Sequence, residues 1–163
     1  MRQRAPFERS DFLSPLAPWP LSPYLALVIR KHFTLAEANR TLPLVRRIVT
    51  DLTTHYPVWR DLIYKYELVA AQARPEWGES NEQLALRTQI EDAARLIAGY
   101  IQELEEIGCL FKGFPQGLVD FYGSLDGRDV FWCWKAGEET IEYWHEIDAG
   151  FEGRQRIPAM VGG

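Results

Sequence analysis

A stretch near the end of the chain combines more chemically versatile side chains than a core strand requires. Residues 141–154 read IEYWHEIDAGFEGR and include His145, Glu146, Asp148 and Arg154. Imidazole and carboxylate groups can bind a metal ion or exchange protons, and a guanidinium group can hold an anion through two parallel hydrogen bonds. We therefore take this stretch as the centre of a candidate site.

A metal site here would use His145, Glu146 and Asp148, which are weak candidates on their spacing alone. Glu146 and Asp148 would share one face of a continuing strand, whereas His145 would lie on the other face. The chain has no H-E-x-x-H or C-x-x-C motif, whose spacing would indicate a metal site directly. The sequence thus predicts no metal and no cofactor, and the alternative role of these groups is to bond to one another and to the backbone.

An acid–base site would pair His145 with Asp120 or Asp148 and would use Arg154 to hold an anionic substrate. Cys133 is a poor nucleophile in this setting, because it lies between two tryptophans, and apolar surroundings raise the pKa of a thiol. The structural alternative is a closing tail in which Arg154 pairs with a nearby carboxylate.

The composition limits the class of partner. The 163 residues suffice for one domain with its own core, and 23 acidic residues outnumber 18 basic ones. Broad binding to a phosphate backbone needs a clustered basic surface, so we expect no nucleic-acid partner. No apolar run is long enough to span a membrane, and two cysteines are too few for a disulfide scaffold. We therefore expect a cytoplasmic protein without a membrane partner.

Residues 1–31 differ in character from the rest of the chain. They are rich in proline and show no sustained apolar period, which predicts an irregular N-terminal arm. If translation started at Val28, residues 1–27 would not belong to the native protein.

Two capping boxes predict where two helices begin. The first spans Thr34 to Glu37 and the second spans Ser80 to Gln83, and apolar residues at heptad spacing follow each of them. Gly108 supplies the residue that ends the second helix. Residues 34–108 are therefore predicted to form a long antiparallel helical hairpin of coiled-coil type. Its flank would stay exposed in a monomer, so we expect a homodimer, with a protein or small-molecule partner also possible.

After the hairpin the apolar period changes to two. Residues 118–122, 129–135 and 140–146 are rich in β-branched and aromatic residues, and Asp-Gly and Ala-Gly pairs lie between them. This pattern predicts a small three-stranded antiparallel meander with a tail over residues 109–158. Both faces of the central strand are apolar, and we expect Trp134 and Trp144 to contribute to a binding surface.

Short motifs along the chain resemble an uncharacterised bacterial family catalogued as a domain of unknown function (number 2203). The matching segments are Phe33-Thr34, Glu37-Ala38-Asn39, Leu42-Pro43, Gly117-Leu118-Val119-Asp120-Phe121, Gly127-Arg128, Cys133-Trp134, Gly137-Glu138, Trp144-His145-Glu146, Asp148, Gly150-Phe151 and Gly153-Arg154. The resemblance covers about residues 32–158. It implies a small cytosolic bacterial protein, and it assigns no catalytic residue.

The sequence therefore predicts one α+β domain over residues 32–158, with a helical hairpin followed by a β-meander. Our leading hypothesis is a non-enzymatic binding or protein-interaction module whose site lies at the sheet and the C-terminal tail. The alternative is a small metal-dependent or acid–base enzyme. The candidate binding residues are Asp120, Trp134, Trp144, His145, Glu146, Asp148 and Arg154.

Overall fold

A computed structural model of the chain describes residues 31–73 and 78–158. Two helices, α1 (Leu35–Gln72) and α2 (Asn81–Ile107), are followed by strands β1 (Cys109–Gly113), β2 (Leu118–Leu125), β3 (Arg128–Lys135), β4 (Tyr143–Glu146) and β5 (Gln155–Arg156), with a short 3-10 helix (Phe151–Gly153) before β5. The predicted α+β class and element order are confirmed. The predicted arm lies outside the described residues, apart from Lys31.

Both helices begin at the predicted capping boxes. The Thr34 hydroxyl accepts a hydrogen bond from the Glu37 amide while the Glu37 carboxylate accepts one from the Thr34 amide, and Ser80 and Gln83 repeat the arrangement. Gly108 ends α2 in the left-handed conformation at φ 102°. The two helices pack against each other as the predicted hairpin.

Within the part of the chain that the structure describes, the sheet has five strands in the order β1-β2-β3-β4-β5, and their pairings are antiparallel. The prediction of three strands was incomplete because β1 and β5 carry little alternation. β1 begins directly after Gly108, and β5 has only two residues. Each gains its strand conformation from a neighbour that is already paired, a contribution that a local apolar pattern does not report.

The two faces of the sheet have different surroundings. Val119, Phe121, Trp132 and Trp144 lie on the inner face, in one core with buried residues of both helices such as Leu52. The indole nitrogen of Trp132 donates to the carbonyl of Phe33, 2.9 Å away, and so ties the chain before α1 to the sheet.

The outer face carries residues of opposite parity. Asp120, Phe131, Cys133 and His145 are buried there, and neither α1 nor α2 contributes a residue to the cavity that they line. Residues 147–154 cross this face instead, and they supply part of a cavity wall described below. Neither helix in the described ranges is apolar enough over a sufficient length to span a membrane.

Candidate functional site

Three polar side chains meet on the outer face, one from each of three adjacent strands. Asp120 of β2 pairs in register with Cys133 of β3, and His145 of β4 pairs with Phe131 of β3. The carboxylate oxygen, the thiol sulfur and a ring nitrogen of this Asp–Cys–His cluster all lie within 4.8 Å of one another. All three residues are buried.

The imidazole of His145 is held at both nitrogens. Nδ1 lies 2.8 Å from the carbonyl oxygen of Glu146, so it must carry a hydrogen, because a carbonyl can only accept. Nε2 lies 3.2 Å from Oδ2 of Asp120. Burial by itself lowers the pKa of His145, but the bonds to Asp120 and to the Glu146 carbonyl outweigh it, and the net pKa is raised above 6.5.

The buried thiol of Cys133 has a pKa well above its ordinary value. Burial, followed by the negative charge of Asp120, raises the pKa of Cys133 to about 12. The predicted weak nucleophilicity of this cysteine agrees with that direction. A thiol with such a pKa reacts slowly with electrophiles, so the cluster is unsuited to cysteine-based covalent catalysis.

One oxygen of the cluster has no hydrogen-bond partner. Oδ1 of Asp120 is buried and unpaired within the described part of the chain, and the Asp120 side chain is only 4% exposed. A buried polar atom without a partner costs about 1–3 kcal/mol, so native proteins rarely retain one without a use for it. The other carboxylate oxygen, Oδ2, is the one that lies 3.2 Å from Nε2 of His145.

A cavity of about 230 Å³ lies above the cluster. The cluster forms its floor, four apolar side chains form most of its wall, and Lys112 and Gly150 complete the lining; the apolar residues are Leu118, Phe131, Ile147 and Phe151. The Lys112 ammonium lies 5.2 Å from the centre of the Phe131 ring. The cavity is therefore lined mainly by apolar side chains, together with three potential ligand atoms and one cationic group.

Arg154 holds the tail, residues 147–154, against the sheet beside this cavity. Its Nη2 atom donates to both carboxylate oxygens of Glu138 at 2.8 Å and to the backbone carbonyl of Cys133 at 3.3 Å. Its guanidinium also lies 4.2 Å from the centre of the Tyr143 ring. Nη2 of Arg154 is therefore engaged within the protein, whereas its Nε is buried without a hydrogen-bond partner among the described residues.

The structure brings together only part of the predicted site. Asp120 and His145 meet as the acid–base hypothesis required. Trp134 and Trp144 lie in the inner core, and the Trp134 indole donates to the Glu138 carbonyl. Glu146 forms an ion pair with Arg128 at 2.9 Å, and Asp148 is exposed outside the cavity lining, so neither joins His145.

Sequence reasoning did not place Cys133 beside Asp120 and His145, although a signal for this proximity was present. Asp126 and Gly127 both adopt positive φ in a two-residue turn, which is the geometry that an Asp-Gly pair favours in a tight hairpin. A two-residue turn places Leu125 opposite Arg128, and counting back along both strands places Asp120 opposite Cys133. Turn type and parity would have brought these two residues to one face.

Comparison with known proteins identifies a family. No curated protein and no solved structure matches the chain. The family model described as "Uncharacterized conserved protein (DUF2203)" matches residues 31–157, which include both helices, all five strands and the Asp–Cys–His cluster. Since the match covers most of the sequence, the chain belongs to the DUF2203 family.

Proposed function

We propose that this protein is a metal-binding module that holds one divalent transition-metal ion, of the zinc class, at Asp120, Cys133 and His145. A thiolate, an imidazole nitrogen and a carboxylate oxygen are ligand types that zinc accepts together. The observation that carries the proposal is the unpaired Oδ1 of Asp120, a buried acceptor beside two other potential ligand atoms.

The spacing of the cluster fits such an ion. Zinc bonds of about 2.0–2.3 Å in a tetrahedron place ligand atoms about 3.3–3.6 Å apart. Nε2 of His145 and Oδ2 of Asp120 are 3.2 Å apart, and all three ligand atoms are within 4.8 Å. Side-chain movements of about 1 Å would therefore complete the coordination.

The surroundings of the cluster support the same assignment. A histidine that binds a metal through one nitrogen usually donates its other N–H to a carbonyl or carboxylate, and His145 makes that bond to Glu146. Binding would replace the thiol proton of Cys133, because a coordinating thiol is deprotonated by the metal. The carboxylate and thiolate charges would then balance those of a divalent ion in the buried site.

Cobalt(II), which reports thiolate ligation through a charge-transfer band, tests the proposal in the full-length protein. We expect one cobalt ion per chain and displacement of cobalt by zinc. Cys133→Ser and His145→Gln should abolish the band while circular dichroism shows a folded chain. If the band survived both substitutions, or if folded wild-type protein bound no metal, the proposal would be wrong.

Two residues provide matched controls. Cys109 is the other cysteine, and it lies on the inner side of the sheet. His32 also lies 3.2 Å from an aspartate, Asp129, but both side chains are largely exposed. Cys109→Ser and His32→Gln should leave the cobalt spectrum unchanged.

Binding is better supported than catalysis by the residues around the cavity. Among its lining residues, Lys112 is the one ionisable side chain outside the proposed metal ligands, and Glu146 and Asp148 are absent from the lining. A hydrolytic metal centre would need a base to accept a proton from the attacking water near the open coordination position.

A cytoplasmic location is part of this proposal, because a reducing compartment keeps Cys133 available as a ligand.

A further inference from the structure

We infer that the cavity above the metal site takes a small organic monoanion with an apolar body, such as an aromatic carboxylate, as a second ligand. This inference rests on the proposed metal site, and it names what would occupy the position that the protein leaves open. Three protein ligands leave a fourth position on a tetrahedral ion, and the cavity lies directly above the cluster.

The charge of the cavity favours a single negative charge. The ion would be balanced by Asp120 and Cys133, which leaves the ammonium of Lys112 as the uncompensated charge among the lining residues. Within the described ranges Lys112 forms no ion pair, whereas Arg128 and Arg154 nearby are paired with Glu146 and Glu138. One carboxylate could bind the metal through one oxygen and accept from Lys112 through the other.

The cavity walls determine the rest of the ligand. Phe131 and Phe151 offer two aromatic rings, and Leu118 and Ile147 add aliphatic surface. An apolar ring against these side chains gains from burial, whereas acetate or phosphate would leave them uncovered. The volume of about 230 Å³ is below the roughly 300 Å³ at which pockets for drug-sized ligands begin, so nucleotides and long acyl chains are excluded.

The tail gives the cavity a route for ligand entry. Ile147 is 42% exposed and Phe151 is 37% exposed, so both of these side chains border solvent as well as the cavity. Lys112, which also lines the cavity, is exposed to solvent. An anion could therefore reach the metal past Lys112 without unfolding the sheet.

Titration of the cobalt-loaded protein with benzoate, acetate and inorganic phosphate tests this inference. Benzoate should shift the visible cobalt bands and should bind at least about tenfold more tightly than acetate, because burial of its ring adds to the same carboxylate contact. Lys112→Met should weaken benzoate binding about tenfold, since the charge-assisted bond is lost. Lys135→Met is the matched control, because Lys135 lies on β3 outside the cavity lining, and it should have no effect.

The outcomes separate the two proposals. Cobalt bands that do not respond to benzoate, or that respond equally to acetate or more strongly to phosphate, would overturn the inference and leave the metal site standing. An effect of Lys135→Met equal to that of Lys112→Met would also overturn it. Failure of the protein to bind cobalt would overturn the proposed function, and this inference with it.

Discussion

Replacing Arg154 with methionine should loosen the tail that closes the cavity, because Arg154 holds that tail through several contacts. The Arg154 side chain is 11% exposed and its partner Glu138 is 19% exposed, so their ion pair is largely shielded from water. Methionine keeps much of the apolar stem while removing every hydrogen-bond donor. The Glu138 carboxylate would then be left partly buried with one remaining donor, the Lys135 amide.

The structure sets the size of the expected effect. Removing one partner of a buried ion pair costs about 3–5 kcal/mol, because the other charge is left uncompensated. Glu138 lies in a turn and can regain some water, so we expect a loss of about 2–3 kcal/mol in the free energy of unfolding. For a chain of this length, that corresponds to a fall of about 5–10 °C in Tm.

Arg156→Met provides the matched control for thermal and urea denaturation. Arg156 lies on the same tail and faces Glu142 at 3.5 Å, but the side chains are 77% and 53% exposed. An ion pair between such exposed side chains contributes little to stability, so Tm should fall by less than about 2 °C. Equal losses in the two variants would refute the claim that Arg154 fastens the tail.

Three further predictions concern the helices, the core and the assembly. Gly123→Ala should lower the free energy of unfolding by about 3 kcal/mol in urea denaturation, because a methyl group there would overlap the Trp132 indole. Gly99→Ala should instead raise the free energy of unfolding by about 0.5–1 kcal/mol, because Gly99 lies in α2 with open space around it and alanine favours a helix. Analytical ultracentrifugation should show a dimer that Leu68→Asp, on the exposed flank of α1, converts to monomer; a wild-type monomer would refute this. Burial raises the pKa of Cys109 to about 12, so iodoacetamide at pH 8 should modify it only after unfolding in guanidinium, and modification of the native protein would contradict that.

The helical half of the fold could be predicted well because its determinants are local. Each capping box lies within four residues, and the heptad seam repeats over many turns, so Thr34 and Ser80 mark the helix starts without knowledge of the tertiary structure. The strands β1 and β5 depend on pairing across the sheet, and no local pattern reports that pairing.

The candidate site was predicted only in part, since it depends on register and on facing. The sequence singled out Asp120 and His145, but their meeting requires β2, β3 and β4 in one alignment. The longer connection from β3 to β4 leaves that alignment open. Trp134 and Trp144 were expected on a binding surface, but they lie in the core. Strand parity tells which residues share a face of the sheet, but it does not tell which face the helical hairpin covers.

X-ray absorption at the zinc edge, measured on zinc-loaded full-length protein, tests the central claim most directly because it counts the donor atoms around the ion. The proposed site predicts one sulfur at about 2.3 Å together with nitrogen and oxygen donors at about 2.0–2.2 Å, and loss of the sulfur shell in Cys133→Ser. A zinc environment without sulfur, or one that Cys133→Ser leaves unchanged, would contradict the assignment of the Asp–Cys–His cluster as a metal site.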